Sequence, residues 1–259
     1  MRAKKSLGQN FLRDAQVVER IVAALDLDKD DAVVEIGPGQ GALTEALLAQ
    51  ARRVTAIEFD RDLIEPLRER FRDRENFRLV NADALTFDFA DLAPPNDTAK
   101  LKLVANLPYN ISTPILQRLI IVRNHFSRIV LMFQREVVER ITAPPGGKER
   151  GYLSVLVESA FETEYLFDVP PGAFYPVPKV WSAVVRLTPK LRAIQNEALF
   201  AQLLSTAFAH KRKTILNNLK AVVPRAAAAL TAAHIDPKRR AETLTLDEWK
   251  FLLLQIAQD

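Results

Sequence analysis

Three stretches of the chain place acceptors and open backbone where a ligand could be held. In Val33–Thr44 (VVEIGPGQGALT), Gly37, Gly39 and Gly41 follow an apolar run and precede a helical pattern. Glycine tolerates positive φ and lets a ligand approach the backbone closely. The G-x-G-x-G spacing is near, but not the same as, the G-x-G-x-x-G of dinucleotide sites, and a purely structural tight turn would use the same residues. Glu58 closes the run VTAIE and is followed by Phe59 and Asp60. A carboxylate at the end of the next strand of a doubly wound sheet lies beside the glycine turn and can accept hydrogen bonds from both hydroxyls of a ribose. Asn81-Ala82-Asp83-Ala84 offers Asp83 as an acceptor for an exocyclic adenine amine, or as a turn cap. Together these point to an adenosine-bearing ligand.

A fourth stretch, Asn106-Leu107-Pro108-Tyr109, bears on reaction type. The exocyclic amine of adenine is a poor nucleophile because its lone pair is delocalised into the ring. Methylating it from a sulfonium creates little charge, so no buried base is required. Acceptors for the amine hydrogens bias nitrogen toward tetrahedral geometry, and the Asn106 side-chain carbonyl and the Leu107 backbone carbonyl, turned outward by Pro108, supply them. Tyr109 supplies a ring on which the base can stack. Catalysis of this kind is positioning and preorganised polarity.

These residues need a scaffold that brings strand ends together. Asp14 can cap a helix whose apolar positions Val17, Val18, Ile21, Val22 and Leu25 recur at helical spacing. Strand-like runs at Ala32–Ile36, Val54–Glu58, Phe77–Val80, Leu101–Ala105 and Ile129–Phe133 alternate with helical patterns, including a charged helical stretch from Arg135. The expectation is an α/β fold with a doubly wound parallel sheet. Leu153–Phe161 reads as a helix. Glu164–Val169 and Ser182–Leu187 read as strands separated by the proline-rich PPGAFYPVPKV, and with no clear helix between them they suggest an antiparallel hairpin at the sheet edge. From Gln195 onward the pattern is helical only. The expected division is a catalytic domain over 1–189 and a small all-helical domain over 190–259, with the boundary near Pro189–Gln195.

Composition excludes several classes. The chain of 259 residues has no cysteine, which removes disulfides and thiolate metal sites. Its three histidines, His125, His210 and His234, are not spaced as ligand pairs, so no metal is expected. No apolar run reaches the ~18 residues of a membrane span, and MRAKKSLGQNFL lacks the apolar core of a secretion signal; a cytoplasmic protein without membrane association is expected. The net charge of +4 is uneven, since residues 190–259 hold 11 Lys/Arg against 6 Asp/Glu. Arg2, Lys4, Lys5 and Arg13 add positive charge at the other end. Such asymmetry suits a polyanionic partner. Lys211, Arg212 and Lys213, placed in a helical stretch, are the candidate phosphate contacts. Arg192, Lys220 and Arg225 lie nearby in sequence, Lys238–Arg240 form a second cluster, and a solvated helix face is the alternative. Gln134, Arg135 and Arg140 are candidates for shaping the substrate side.

The set KKSLGQNFL, VEIGPGQGALT, IEFD, NADAL, NLPYNIST, FQREVVER and FYPVPKVWSAVVRL closely resembles the ribosomal small-subunit adenine N6,N6-dimethyltransferases, the KsgA-type enzymes. The match runs from Lys4 to about Leu187 and continues less sharply through HKRKTILNNL. The resemblance implies a class I (Rossmann-like) methyltransferase fold, S-adenosyl-L-methionine as cofactor, and dimethylation of two adjacent adenosines in the last hairpin of small-subunit (16S) rRNA, late in ribosome assembly. The implied partner is an immature 30S-type particle, and the implied state is a monomer. Residue by residue, it places Asn10 and Leu12 at the methionine end of the cofactor, Gly37 and Gly39 against it, Glu58 at its ribose, Asp83 at its adenine and Asn106 at the junction with the target. Tyr109 stacks on the target base. Phe174 is the second ring on its other face, with Tyr175 beside it as an alternative, as an extruded base requires. Two other readings share the fold: a large-subunit rRNA adenine methyltransferase conferring antibiotic resistance, and a nonenzymatic RNA-binding assembly or transcription factor.

Overall fold

The opening Asp14 caps the first long helix, α1 (Ala15–Ala24): its carboxylate accepts from the N–H groups of Gln16 and Val17 at 2.9 and 3.1 Å. The computed structural model that shows this describes residues 4, 8–92, 100–107, 111–190 and 194–257. Pro108, Tyr109 and Arg192 therefore lie outside the described residues. Before α1 comes a two-residue strand, β1 (Phe11–Leu12). The α/β pattern then runs β2 (Ala32–Ile36), α2 (Ala42–Leu48), β3 (Arg53–Glu58), α3 (Arg61–Arg70), β4 (Phe77–Asn81), β5 (Leu101–Asn106), α4 (Ser112–Val122) and β6 (Phe126–Gln134). After the helices α5 (Arg135–Ile141) and α6 (Tyr152–Ala160) come β7 (Phe161–Val169), β8 (Phe174–Tyr175) and β9 (Ser182–Pro189).

Among the described residues the main sheet has seven strands in the order β4-β3-β2-β5-β6-β9-β7. The pairs β3–β4, β2–β3, β2–β5 and β5–β6 are parallel, and β6–β9 is antiparallel. Strands buried on both faces are apolar throughout rather than alternating, and β2, β5 and the second half of β6 are buried almost continuously. From β2 the chain winds outward through β3 and β4, then returns to the other side of β2 with β5 and β6. That reversal, between β2 and β5, is the topological switch point at which open α/β sheets bind ligands. The core on one side joins Val17, Ile21 and Val22 of α1 with Leu43 and Leu47 of α2 and with strand residues such as Val33, Val104 and Val130. The two expected edge strands are neighbours, β9 beside β7 at the end of the sheet, and the half-buried Arg186 and exposed Glu164 side chains pair between them.

The chain divides into two compact units: residues 1–138 with 163–189, and residues 139–162 with 190–259. This differs from the single cut expected between 189 and 190, because 139–162 groups with the C-terminal helices. The cause is packing inside the second unit. Leu153, Val155, Leu156 and Val157 of α6 are buried, and α6 packs on α7 (Glu197–Ala207) and α10 (Leu246–Ala257). The preceding Arg150, 2% exposed, is held by Glu158 at 2.6 Å and by the carbonyls of Ala143 and Leu244. Trp249 of α10 is fully buried beside Phe208, with ring centroids 5.8 Å apart. The short helices α8 (Ile215–Leu219) and α9 (Ala226–Ala232) complete this unit.

Candidate functional site

A cavity of about 330 Å³ opens at the carboxyl ends of β2, β3, β4 and β5, within the range of small-molecule sites. The register explains why these ends meet: Glu35 pairs with Ala56 and Val104, and Glu58 pairs with Asn81. Gly37, Gly39, Glu58, Asp83, Asn106 and Leu107, each expected at a site from sequence, all line this one cavity.

The glycine turn is shaped as its composition requires. Gly37 and Gly39 have φ of +68° and +59°, which L side chains rarely adopt. A Cβ on Gly39 would stand 3.0 Å from the Phe11 ring, and one on Gly37 would face the Asn106 carbonyl at 3.9 Å. The turn is thus packed closely against β1 at Gly39, while Gly37 leaves room beside the end of β5 and needs glycine for its positive φ. Glu58 is buried and held from two directions: Oε1 accepts from the Asp60 N–H at 2.7 Å and Oε2 from the Gly39 N–H at 3.3 Å. Burial pushes its carboxyl above the ordinary value despite these donors. Each carboxylate oxygen has two acceptor directions, so the pair of oxygens can still receive a vicinal diol. Asp83 Oδ1 accepts from the Leu85 N–H at 2.9 Å, which fixes the carboxylate at the cavity wall.

The N-terminal residues reach the cavity through a pairing that periodicity does not reveal. β1 lies antiparallel to β8, with Phe11 opposite Tyr175 and Leu12 opposite Phe174. Strand alternation then separates the two candidate rings. Phe174 is 3% exposed and lines the cavity, whereas Tyr175 is 53% exposed and carries the Arg13 guanidinium 4.2 Å from its ring centroid. Asn10 and Leu12 line the cavity as well. Of the expected substrate-shaping residues, Gln134 ends β6 and Arg135 starts α5.

Several contributors were not among the expected site residues. Phe59, 61% exposed, lines the cavity next to Glu58; a lone phenylalanine after a strand end gives no signal by itself. Glu35 is buried at the cavity wall and accepts from Thr44 Oγ1 at 2.6 Å. Burial, with a smaller contribution from Glu58, raises its carboxyl to about 7. Lys4 bridges Asp60 and Asp62, at 2.6 Å each, and Gln9 Nε2 donates to Asp60 Oδ2 at 2.8 Å. Burial alone would raise Asp60; the donors from Lys4, Gln9 and the Asp62 N–H outweigh it and hold the carboxyl below its ordinary value.

In the second unit, Lys211, Arg212 and Lys213 are exposed. They lie in the turn between α7 and α8, not in a helix as the sequence suggests. The Thr214 side chain, accepting from the Asn217 N–H, starts α8 only after them. Lys211 Nζ donates to the Lys148 carbonyl at 3.1 Å.

The chain matches the ribosomal RNA adenine dimethylase family over residues 1–258. It is 45% identical to ribosomal RNA small subunit methyltransferase A of Hahella chejuensis over 250 residues, covering 95% of this chain and 90% of that one. It is 46% identical to the protein of the same name from Nitrosococcus oceani, covering 96% and 94%. Among solved structures it is similar to a dimethyladenosine transferase from Plasmodium falciparum, with a TM-score of 0.85 and 28% identity over 96% of this chain and 98% of that one. It is also similar to the 23S rRNA methyltransferase ErmE, with a TM-score of 0.74 and 30% identity over 96% and 100%. With the sheet order above, these likenesses give the class I methyltransferase fold.

Proposed function

The chain belongs to the ribosomal RNA adenine dimethylase family, and from that premise we propose that it transfers methyl groups from S-adenosyl-L-methionine to N6 of two adjacent adenosines in the last hairpin of small-subunit rRNA. The observation that carries this reading is the meeting of Glu58, Asp83 and Asn106 with the Gly37–Gly39 turn in one cavity at the switch point.

The residues fit that cofactor. Glu58 suits the ribose diol, Asp83 the adenine amine and the exposed Phe59 ring an adenine face, while the glycine turn leaves room for the chain between sugar and sulfur. Asn10 and Leu12 also line the cavity, and they would hold the methionine portion. The bound cofactor supplies an electrophilic methyl on positively charged sulfur. The protein then has to bring a weak nucleophile to it and desolvate the pair. Asn106, at the end of β5, offers its side-chain carbonyl to one amine hydrogen, and the Leu107 carbonyl takes the other. Phe174 packs on one face of the extruded base. Tyr109, with Pro108 before it, supplies the other face in this reading; both lie outside the described residues. The amine proton is lost to solvent after transfer, so no general base is assigned.

Small-subunit rRNA is favoured over large-subunit rRNA by the 45–46% identity to small-subunit enzymes along nearly the whole chain and, among the solved structures, by the TM-score of 0.85 to the dimethyladenosine transferase against 0.74 to the 23S enzyme. The acidic and amide residues at the cavity favour an enzyme over a nonenzymatic factor. The proposal extends to an immature small-subunit particle as substrate, late in assembly, engaged by Arg212 and Lys213 of the helical unit, and to a monomer working in the cytoplasm. No described helix is long and apolar enough to cross a membrane. Radiolabelled methyl transfer tests the assignment: unmethylated small-subunit particles should accept label while large-subunit rRNA does not, and the reverse pattern would overturn it.

A further inference from the structure

Most of the exposed large apolar side chains are scattered, which is ordinary for a protein surface. Val177, Val180 and Trp181 differ, because they are 64%, 41% and 46% exposed within one short stretch that leads out of the cavity-lining Phe174. The backbone of Trp181 is pinned: its carbonyl accepts from the Arg135 N–H at 3.0 Å, and the next residue, Ser182, pairs with Gln134. Trp181 therefore stands at the carboxyl end of β6, on the same sheet edge as the cavity. β6 adjoins β5, whose last residue is Asn106, and β9 adjoins β6. Two strand spacings, ~10 Å, separate the line of Asn106 from that of Trp181, on the side away from Glu58 and Asp83. Lys179, in the same stretch, and Arg135, at the start of α5, are exposed there.

We propose that Trp181 is a stacking platform for an RNA base flanking the target adenosine, with Lys179 contacting the adjoining phosphate. An RNA strand is the occupant that fits, because the patch continues the target side of the cavity and combines an aromatic face with cationic neighbours, the combination that holds single-stranded nucleic acid. The proposal rests on the rRNA reading above, and it adds a substrate-positioning residue, not a catalytic one.

The chain has two tryptophans, and Trp249 is fully buried, so a change in emission on adding RNA reports Trp181. A hairpin RNA with two adjacent adenosines in its loop should quench the emission of the full-length protein. Trp181→Ala should raise KM for RNA about tenfold, with kcat and cofactor affinity little changed, and Trp181→Phe should recover most of the loss. If the wild type methylates small-subunit RNA but its emission does not respond and Trp181→Ala keeps the wild-type KM, the platform is refuted and the enzymatic reading stands. If the wild type methylates no small-subunit RNA, the underlying reading fails. An unchanged KM for RNA with impaired binding of a protein component of the particle would make the patch a protein-docking site and overturn the proposal.

Discussion

Asn106 and Glu58 end β5 and β3, the strands on either side of β2, but serve different partners, so their replacement should separate chemistry from binding. Asn106→Ala removes an acceptor needed only as the amine reacts. Methyl transfer should fall by at least ~100-fold, the scale of losing one preorganised polar contact, while calorimetry should find cofactor affinity largely kept. Glu58→Ala should weaken cofactor binding by about tenfold or more, since it removes the acceptor for the ribose diol and releases the Gly39 and Asp60 N–H groups that the carboxylate holds. Glu35 makes a different prediction. Its folded-state carboxyl is raised to about 7 by burial, above the ordinary unfolded value. The folded protein therefore holds this proton more tightly than the unfolded chain. The stabilising contribution is full below the unfolded value, falls as pH rises through about 7, and is lost above it. Up to ~3 kcal/mol is at stake. Glu35→Gln keeps an acceptor for Thr44 and should flatten the decline between about pH 5 and 8 in denaturant titrations. An equal decline in both proteins would place the cause elsewhere.

At the scale of elements, the turn after β2 is a spacing device. Gly39→Ala would strain a left-handed position and drive a methyl against Phe11. The strain falls on β1, which carries the residues next to Asn10, so the variant should lose cofactor affinity more than global stability; melting curves with and without cofactor separate the two. Sequence made much of this legible, because buried parallel strands read as apolar runs and each functional residue sits just past one: Glu58 ends β3 and Asn106 ends β5. The β1–β8 pairing was not legible. Two-residue strands have no periodicity, and 161 residues separate Leu12 from its partner Phe174. Phe59 and Lys4 escaped for a related reason: an exposed phenylalanine and a basic residue near the N-terminus take on meaning only when a cavity and two carboxylates lie beside them.

For the whole molecule, charge and helical packing divide the labour within the chain. The helical character after residue 195 was readable, but the membership of 139–162 was not, because α6 is buried by helices far along the chain. Arg150 ties that unit through Glu158, and Arg150→Ala should cost ~1–3 kcal/mol by leaving the carbonyls of Ala143 and Leu244 without their donor. In the turn after α7, Lys211 already donates to a backbone carbonyl, whereas Arg212 and Lys213 are the stronger candidates for phosphate. Replacing both by alanine should weaken particle binding and reduce the salt slope by about two. The most direct test of the central claim is mapping dimethyladenosine in small-subunit rRNA from cells lacking this gene, complemented with either wild type or Asn106→Ala. Dimethylation of two adjacent adenosines in the last hairpin, present with wild type and absent with the variant, is the predicted result. An unmodified hairpin with the wild type, or modification that persists with Asn106→Ala, would contradict it.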